Sequence, residues 1–395
     1  MIDILLLISI ISLIIWIFLL FFWGNFWHCN PVLNSRIIDV KNPPSVCAVV
    51  PARNEADSIE TTLTSLFQQD YRGKFSIILV DDRSRDNTTK IARETAKKLN
   101  KSEQLKIIAG TKLPLGWTGK LWAMKQGVDR AKQELSPDYI LFSDADIRHN
   151  PSNLTQLVSQ AKQGNYNLVS LMVLLQCKTV WEKLLIPAFI FFFAKLYPFS
   201  KVNDRKSKVA GAAGGCILIE TAALDAIGGI EVIRQALIDD CALATAVKSY
   251  NRANNDQGIW LGFTKDAFSL RSYPSLQSIW NMVARTAFTQ LKYSPIILLG
   301  TVTGMIFIYL VPPASLFLGI MLSKWSIAIV GLSSLILMSL SYLPTLRFYQ
   351  LSPLWSLNLS AIASLYTLMT LDSALRHWQG KGGAWKGRVY PQKSL

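Results

Sequence analysis

Long apolar segments lie near both ends of the chain and enclose a stretch of mixed polarity. Residues 2–23 form a largely apolar run in which Asp3 is the one charged residue. Since about 20 apolar residues are enough to cross a bilayer, this run predicts a transmembrane anchor over residues 1–24. The C-terminal part is again apolar and predicts transmembrane segments within 295–376. The apolar runs there are 295–323, 326–344 and 354–375.

Between these ends, residues 36–291 have the pattern of an α/β domain. Short β-branched runs alternate with polar, helix-like stretches such as 58–69 and 87–99. This alternation predicts a mostly parallel sheet with crossover helices, in which ligands bind beyond the carboxyl ends of the strands. The clearest strand-like runs are 46–50, 77–80 and 139–142.

A short apolar segment with a basic flank lies inside this domain. Residues 184–198 are too few to span a bilayer comfortably, and they contain Lys195. The pattern favours an interfacial helix over about 182–208 that meets anionic lipid headgroups. A buried core helix is the alternative. The basic residues that follow the apolar segment are Lys201, Arg205, Lys206 and Lys208.

Charge bears on the orientation in the membrane and on the partners. Lys and Arg outnumber Asp and Glu by 41 to 26, and basic segments favour the cytoplasmic side. We therefore predict that the α/β domain and the basic tail, 377–395, are both cytoplasmic. Three simple spans would place the domain and the tail on opposite sides of the membrane. We therefore expect the true number of spans to differ from three by one, around Pro312-Pro313. That pair leaves open one kinked span or two half-helices.

The same charge excess suits anionic lipids or phosphorylated substrates, whereas a nucleic-acid partner is not expected. Several of the basic residues flank apolar segments, and no nucleic-acid-binding motif is present. The three histidines lie far apart in the sequence, and neither a metal-hydrolase spacing nor a GxSxG elbow occurs. These observations direct attention to the carboxylates.

Two aspartates follow the strand-like run 139–142. In an extended chain the side chains of Asp144 and Asp146 point to the same side, and two close carboxylates repel unless a proton or a cation joins them. Oxygen ligands suit Mg²⁺ or Mn²⁺, which also bind substrate phosphates. A strand-ending turn is the alternative interpretation.

Two further acidic pairs lie at predicted element ends. Asp81 and Asp82 follow the run 77–80, where a carboxylate is well placed to bind ribose or a base. Asp239 and Asp240 begin a helical pattern, where the functional alternative to a helix cap is a general base for an acceptor hydroxyl.

The lysine of the segment GWTGK is a candidate for phosphate binding. Lys120 is followed by Leu121 and lacks the upstream glycine of a P-loop. A solvated lysine is therefore the simpler interpretation when this segment is considered alone.

Taken in order, these segments resemble the family 2 glycosyltransferases, which have a GT-A-type nucleotide-sugar domain. The similarity covers about residues 45–245, and the anchor, GWTGK and the terminal WKGRVY are similar to the hopanoid-biosynthesis-associated branch. Membrane transferases that glycosylate carotenoids or sphingolipids have a similar pattern. The matching segments are VVPARNEADSIETTLTSL (49–66), ILVDDRSRDNT (78–88), GWTGKLWAMKQG (116–127), LFSDADIRHNP (141–151), AAGGCILIETAALDAIGG (212–229) and LIDDCALA (237–244).

The resemblance implies a role for each matching position. Asp240 would be the catalytic base, and Asp144 and Asp146 would hold a divalent cation, Mn²⁺ or Mg²⁺, on the donor diphosphate. The resemblance places a second group of residues on the nucleotide-sugar side: Pro51, Asn54, Glu55, Asp81, Asp82, Lys120 and Asp144. It places a third group on the acceptor side: Gly214, Gly215, Asp239 and Arg285.

The implied reaction is an inverting transfer from a nucleotide sugar, expected to be a UDP-sugar, to a lipid acceptor such as a hopanoid or another isoprenoid. The processive members carry QxxRW after the base, whereas here Arg285 is followed by threonine. This departure disfavours the first alternative, a polysaccharide or exopolysaccharide transferase. The second alternative is a membrane protein that binds a nucleotide sugar without turnover. A sugar nucleotidyltransferase would need a GGxGxR loop, which is absent from the sequence.

Overall fold

The computed structural model describes residues 2–33, 42–254 and 257–381, together with the short strands β9 (Ala384–Trp385) and β10 (Arg388–Val389). The predicted start of the α/β domain at 36–41 and most of the predicted basic tail lie outside the described residues. The two short strands pair with each other in antiparallel fashion.

Eight strands of the described chain form one mixed sheet. They are β1 (Val46–Ala52), β2 (Phe75–Asp81), β3 (Leu105–Ala109), β4 (Tyr139–Ser143), β5 (Ile147–His149), β6 (Tyr166–Leu174), β7 (Cys216–Glu220) and β8 (Gly258–Ser269). Their order across the sheet is β3-β2-β1-β4-β7-β6-β8-β5. The neighbours from β3 to β4 are parallel, as are β6 and β8, whereas β7 is antiparallel to both of its neighbours and β5 to β8.

Helices cover both faces of this sheet. Alternate residues of the fully buried β1 enter different cores: Cys47 and Val49 pack into one, and Ala48 and Val50 into the other. A strand that is buried on both faces is expected in a parallel α/β sheet, and the predicted fold class is confirmed. The helices of this domain are α2 (Ile59–Phe67), α3 (Thr88–Lys98), α4 (Gly119–Glu134), α5 (Asn153–Gly164), α6 (Val180–Leu196), α7 (Phe199–Asn203), α8 (Thr221–Ala226), α9 (Asp239–Asn254), α10 (Leu276–Ala284) and α11 (Ala287–Gln290).

Apolar helices flank the domain at both ends. They are α1 (Ile2–Phe21), α12 (Pro295–Met305), α13 (Val311–Met321), α14 (Trp325–Phe348) and α15 (Leu359–Trp378). Four stretches of the described chain are long and apolar enough to cross a membrane: Asp3–Phe21, Pro295–Met321, Trp325–Phe348 and Pro353–Trp378. The apolar ends that the hydropathy pattern predicts are therefore present as helices.

The proline pair does not divide its run into two half-helices. A π-helical turn, Ile306–Leu310, joins α12 to α13, so that the run continues as one candidate span. This run therefore counts as one candidate span by length and composition, and the number of segments that cross the membrane stays a prediction. Because prolines 312 and 313 have no N–H to donate, carbonyl oxygens one turn earlier need other donors. Residues of α1 supply them: Trp16 Nε1 donates to Ile308 O and Ser12 Oγ to Phe307 O, both at 2.7 Å.

Helix α6 lies between the sheet domain and the apolar helices. Ile190 and Ala194 pack into the core of the sheet domain, whereas Ile186 and Phe191 pack into the core formed with α1, α14 and α15. This burial fits the core-helix alternative along the middle of α6. Its role at a lipid interface stays a prediction.

Candidate functional site

Three elements bring charged residues together at the carboxyl ends of β1 and β4. Asp144 follows β4 directly, Lys120 lies in the first turn of α4, and Asp239 and Asp240 begin α9. Acidic residues in the first turn are favoured by the helix dipole, which explains locally why α9 begins with two aspartates. Pro51 of β1 lines a small recess together with all four charged residues.

Lys120 is the central cation of this group. Its Nζ lies 2.9 Å from Asp144 Oδ1 and 3.0 Å from Asp239 Oδ2, and its side chain is only 20% exposed. Burial alone would lower the pKa of Lys120, but the carboxylates of Asp144, Asp239 and Asp240 raise it above its ordinary value. The lysine therefore stays charged and joins the loop after β4 to the start of α9.

Asp240 is held by backbone donors at both oxygens. Oδ2 accepts a hydrogen bond from the Gly214 N–H at 2.8 Å, and Oδ1 accepts one from the Cys241 N–H at 2.7 Å. Burial and the neighbouring carboxylate of Asp239 raise the pKa of Asp240 to about 7, against the lowering influence of Lys120. A carboxylate with such a pKa is suited to accept a proton near neutral pH.

Gly214 allows this close packing. A Cβ at this position would lie 3.3 Å from Asp240 Oδ2 and 3.4 Å from Lys120 Nζ. A larger side chain there would displace the two charged groups. The neighbouring Gly215 is similarly confined, since its Cβ would lie 3.1 Å from the side chain of Val173.

The backbone of the loop Asp144-Ala145-Asp146 is fixed by donors from other elements. Thr62 Oγ1 donates to the carbonyl of Ala145 at 2.8 Å, and the Leu270 N–H donates to the carbonyl of Asp146 at 2.7 Å. A buried contact between Ser143 Oγ and His149 Nε2, at 2.9 Å, supports the start of the loop. The loop is thus held from several directions.

Sequence reasoning does not find His149, because its partners come from separate elements. The other ring nitrogen, Nδ1, lies 3.0 Å from Asn153 Nδ2 of α5, and burial lowers the pKa of the ring to about 4. His149 is therefore a neutral hydrogen-bonding group behind the loop. Ser143 and His149 are six residues apart on either side of the turn after β4. This spacing is the signal in the sequence that could have indicated the contact.

The loop fits a divalent cation that is shared with a substrate. No group of three or more potential ligands from His, Cys, Asp and Glu occurs among the described residues. Mg²⁺ is usually bound by one or two carboxylates together with substrate phosphates and water, so Asp144 and Asp146 would suffice in that setting. Asp144 lines the recess, where its Oδ1 contacts the Lys120 ammonium.

The remaining nucleotide-side residues lie beyond the ends of β1 and β2. Asp82 is 2% exposed, and its carboxylate lies 3.7 Å from Arg53 Nη1. Asp81 is less buried, and its Oδ1 accepts a hydrogen bond from the Ser84 N–H at 3.2 Å. Exposure thus favours Asp81 over Asp82 for direct contact with a ligand, a choice that the sequence leaves open.

Asn54 and Glu55 connect the loop after β1 to the loop before α3. Asn54 has a positive φ of 53°, and its Oδ1 accepts a hydrogen bond from the Arg85 N–H at 2.9 Å. The Glu55 N–H donates to Thr88 Oγ1 at 2.8 Å. The structure places these two residues beside Asp81 and Asp82, and none of the four lines the recess around Lys120.

A cavity of about 560 Å³ extends from the charged group to the apolar helices. All four predicted acceptor-side residues line it, and so does Asp240. Its opposite wall consists of residues from α6, α12 and α15, among them Phe192, Met305 and Tyr366. The predicted acceptor side is thus one continuous space that leads from the carboxylates to the candidate membrane spans. The acceptor-side residues are Gly214, Gly215, Asp239 and Arg285.

Arg285 follows α10 and lines the same cavity as Asp144, the residue after β4. Burial raises the pKa of the Tyr273 phenol. The carboxylates of Asp146 and Asp144 also raise it, whereas Arg271 and Arg285 lower it. Arg285 thus lines the same cavity as Asp144, even though no tryptophan follows it.

We expect the rate of any reaction that uses Asp240 as a base to increase as the pH rises through about 7, because the carboxylate must lose its proton before it can accept one. Asp239→Asn should move this limb to lower pH, since it removes the negative charge that raises the pKa of Asp240. A pH–rate profile of both proteins tests this. Asp129→Asn, on the far part of α4, serves as the control, and an unmoved limb in Asp239→Asn contradicts the assignment.

Comparisons with known proteins bear on the family and on the fold. Residues 47–228 match the model of the family described as "Glycosyl transferase family 2". A mannosyltransferase from Pyrobaculum calidifontis, solved in complex with GDP-Man and Mn²⁺, is similar in structure with a TM-score of 0.50 at 17% identity. The superposition covers 95% of this chain and 99% of that one, and at this identity it supports the GT-A-like fold alone.

Curated relatives match shorter segments. An undecaprenyl-phosphate 4-deoxy-4-formamido-L-arabinose transferase from Edwardsiella ictaluri is 28% identical over 133 residues, which are 33% of this chain and 38% of the relative. A 4,4'-diaponeurosporenoate glycosyltransferase from Staphylococcus haemolyticus is 32% identical over 129 residues, 32% of this chain and 31% of the relative. The chain thus spans less than half the length of these relatives. Together with the family match, they make residues 47–228 similar to family 2 glycosyltransferases.

Proposed function

We propose that this protein is a membrane-bound, inverting glycosyltransferase that moves a sugar from a nucleotide-sugar donor, a UDP-sugar, to a lipid acceptor. The observation that carries this proposal is the cavity that joins Asp240 and Lys120 to α12 and α15. A soluble acceptor would not need a route lined by helices that are apolar enough to cross a bilayer. A lipid can enter such a route with its tail in contact with the apolar walls.

Asp240 acts as the base in this proposal. Its backbone donors fix the carboxylate, and its raised pKa keeps it basic enough to take the proton of an acceptor hydroxyl. The acceptor oxygen then attacks the anomeric carbon from the side opposite the diphosphate. This single displacement inverts the configuration and needs no covalent intermediate.

Lys120 and the loop after β4 act on the donor side. Asp144 and Asp146 would hold a divalent cation, Mn²⁺ or Mg²⁺, which supplies Lewis-acid stabilisation of the departing diphosphate when bound. Lys120 keeps Asp144 oriented towards the pocket. Pro51, Asn54, Glu55, Asp81 and Asp82 would surround the nucleoside, with Asp81 as its more accessible carboxylate.

The names of the relatives support an isoprenoid acceptor. The Edwardsiella transferase is named for undecaprenyl phosphate, and the Staphylococcus transferase is named for a diaponeurosporenoate. We extend this class to the present protein. A hopanoid acceptor remains the finer proposal, which rests on the resemblance of the anchor and GWTGK.

Metal-dependent binding of the nucleotide tests the donor side. We expect UDP to bind to the purified protein with Mn²⁺, and Asp144→Asn to weaken binding at least about tenfold, a loss of about 1.4 kcal/mol. Isothermal titration with and without EDTA measures both effects. Asp225→Asn, whose carboxylate contacts Lys132 at a distant surface, should bind UDP normally. Equal affinity of the wild type and Asp144→Asn would argue against this site.

Membrane contact on the cytoplasmic side is part of the same proposal. Lys206 and Lys208 are exposed on the segment after α7, where they can meet anionic headgroups. The double replacement Lys206→Gln and Lys208→Gln should reduce the ratio of phosphatidylglycerol to phosphatidylcholine that copurifies with the protein, as measured by lipid mass spectrometry. An unchanged ratio would remove the anionic-lipid contact from the proposal.

A further inference from the structure

A lysine lies in the aromatic wall of the cavity, away from the carboxylates. Lys195, near the end of α6, lines the cavity together with Phe192 and Tyr366. Its Nζ donates a hydrogen bond to the hydroxyl of Tyr309 at 2.9 Å. The ammonium also lies 4.7 Å from the centre of the Tyr309 ring and 5.4 Å from that of Phe192.

No acidic partner balances this cation within the described part of the chain. No carboxylate there lies within 4.0 Å of the Lys195 ammonium, whereas Lys120 contacts two of them. Burial lowers the pKa of Lys195 to about 7, and no neighbouring charge opposes this effect. A buried charge is costly unless it is paired, so an anion in the cavity would stabilise the charged form of Lys195.

The surroundings specify what kind of anion fits. The walls beside Lys195 are aromatic or aliphatic. Met305 and Ile308, which also line the cavity, belong to a candidate membrane span. A free inorganic anion would leave these walls without a partner. An amphiphile with one acidic group satisfies both parts, because its tail contacts the apolar walls and its anion meets the ammonium.

The donor diphosphate is a poorer occupant for this position. The cations that accompany the carboxylates are Lys120, which contacts Asp144, and Arg285, which lines the cavity together with Asp144. Lys195 is outside this group, since its ammonium contacts Tyr309 and Phe192, whereas Asp144 and Asp239 contact Lys120. The two ends of the cavity thus carry separate positive groups.

We propose that Lys195 binds an acidic group, a carboxylate or a phosphate, of a lipid acceptor whose hydroxyl reaches Asp240 at the other end of the cavity, so that the enzyme selects acidic amphiphiles over neutral alcohols. This inference rests on the proposed function, since it names the class of lipid that enters the same cavity. Tyr309 positions the ammonium through its hydroxyl. The specificity for the acceptor is thereby separated from the base, Asp240.

Binding of matched probes tests this without requiring sugar transfer. Farnesyl phosphate is compared with farnesol, and hexadecanoate with hexadecanol, by isothermal titration of the full-length protein in a neutral detergent. We expect at least one anionic probe to bind about tenfold more tightly than its alcohol, which is about 1.4 kcal/mol. The probe that shows the preference identifies the acid as a phosphate or a carboxylate.

Three variants connect the preference to Lys195. Lys195→Met should abolish it, and Lys195→Arg should retain it. Lys183→Met, which removes a lysine of the same helix that does not line the cavity, should retain it too. UDP binding with Mn²⁺ verifies that each variant is folded.

Two binding results would overturn the inference: a wild-type protein that binds neither anionic probe more tightly than its alcohol, or a Lys195→Met protein that keeps the preference. Transfer of sugar to neutral alcohols as readily as to acids would also overturn it while leaving lipid glycosylation intact. Conversely, a Lys195-dependent preference without any transfer to lipid would contradict the proposed function alone.

Discussion

Replacing Asp240 by asparagine is expected to lower the rate of sugar transfer by about a thousandfold, within the range that general-base catalysis contributes. Asparagine has nearly the same shape and can still accept a hydrogen bond from the Gly214 or Cys241 N–H. It cannot accept a proton from the acceptor. The turnover number should therefore fall, while the affinity for UDP with Mn²⁺ stays close to that of the wild type.

The matched control for this variant is Asp225→Asn, which makes the same chemical change at an exposed ion pair with Lys132. Its turnover number should equal that of the wild type. Initial rates with saturating donor and acceptor measure the effect. If Asp240→Asn keeps more than about a tenth of the activity, the activation barrier has risen by less than about 1.4 kcal/mol. Another group would then be the base.

Removing the charge of Lys120 is expected to have the second largest effect. In Lys120→Met, the carboxylates of Asp144 and Asp239 lose their cationic partner. Breaking such a partly buried pair costs up to about 3–5 kcal/mol. The change also removes the positive charge that restrains the pKa of Asp240. Transfer near neutral pH should therefore fall by about a hundredfold or more.

The pH–rate profile distinguishes this explanation from general misfolding. In Lys120→Met the limb that reports Asp240 should move to higher pH, so that part of the lost rate returns in alkaline buffer. Lys125→Met is the control, because Lys125 belongs to the same helix but contacts Asp129 and Glu231 outside the pocket. A Lys120→Met profile with its limb in the wild-type position would contradict the role assigned to this lysine.

The parts of the fold that follow local patterns could be predicted from the sequence. The β-branched runs became β1, β2 and β4, since strands buried on both faces leave a clear apolar signal. The carboxylates Asp144 and Asp240 could be found because they follow a strand or begin a helix. Parallel strands bring their carboxyl ends to one edge, which is where Asp144 lies, whereas the role of Asp240 was implied only by the family resemblance.

Contacts between distant segments could not be predicted in the same way. The hydrogen bond from Lys195 to Tyr309 joins residues 114 positions apart, and it forms only because α6 packs against the apolar helices. The same applies to Trp16, which donates to a carbonyl near the proline pair. The sequence left open whether the prolines divide this run, and it did not indicate that α1 would supply the missing donors.

The most direct test of the account is sugar transfer by purified protein in detergent. The assay combines radiolabelled UDP- and GDP-sugars with Mn²⁺ or Mg²⁺, adds total lipid extract as acceptor, and counts label in the organic phase. The account predicts lipid-linked label that disappears with EDTA and with Asp240→Asn. Donor that binds while no label enters the lipid, with every sugar nucleotide and either metal, would contradict lipid glycosylation.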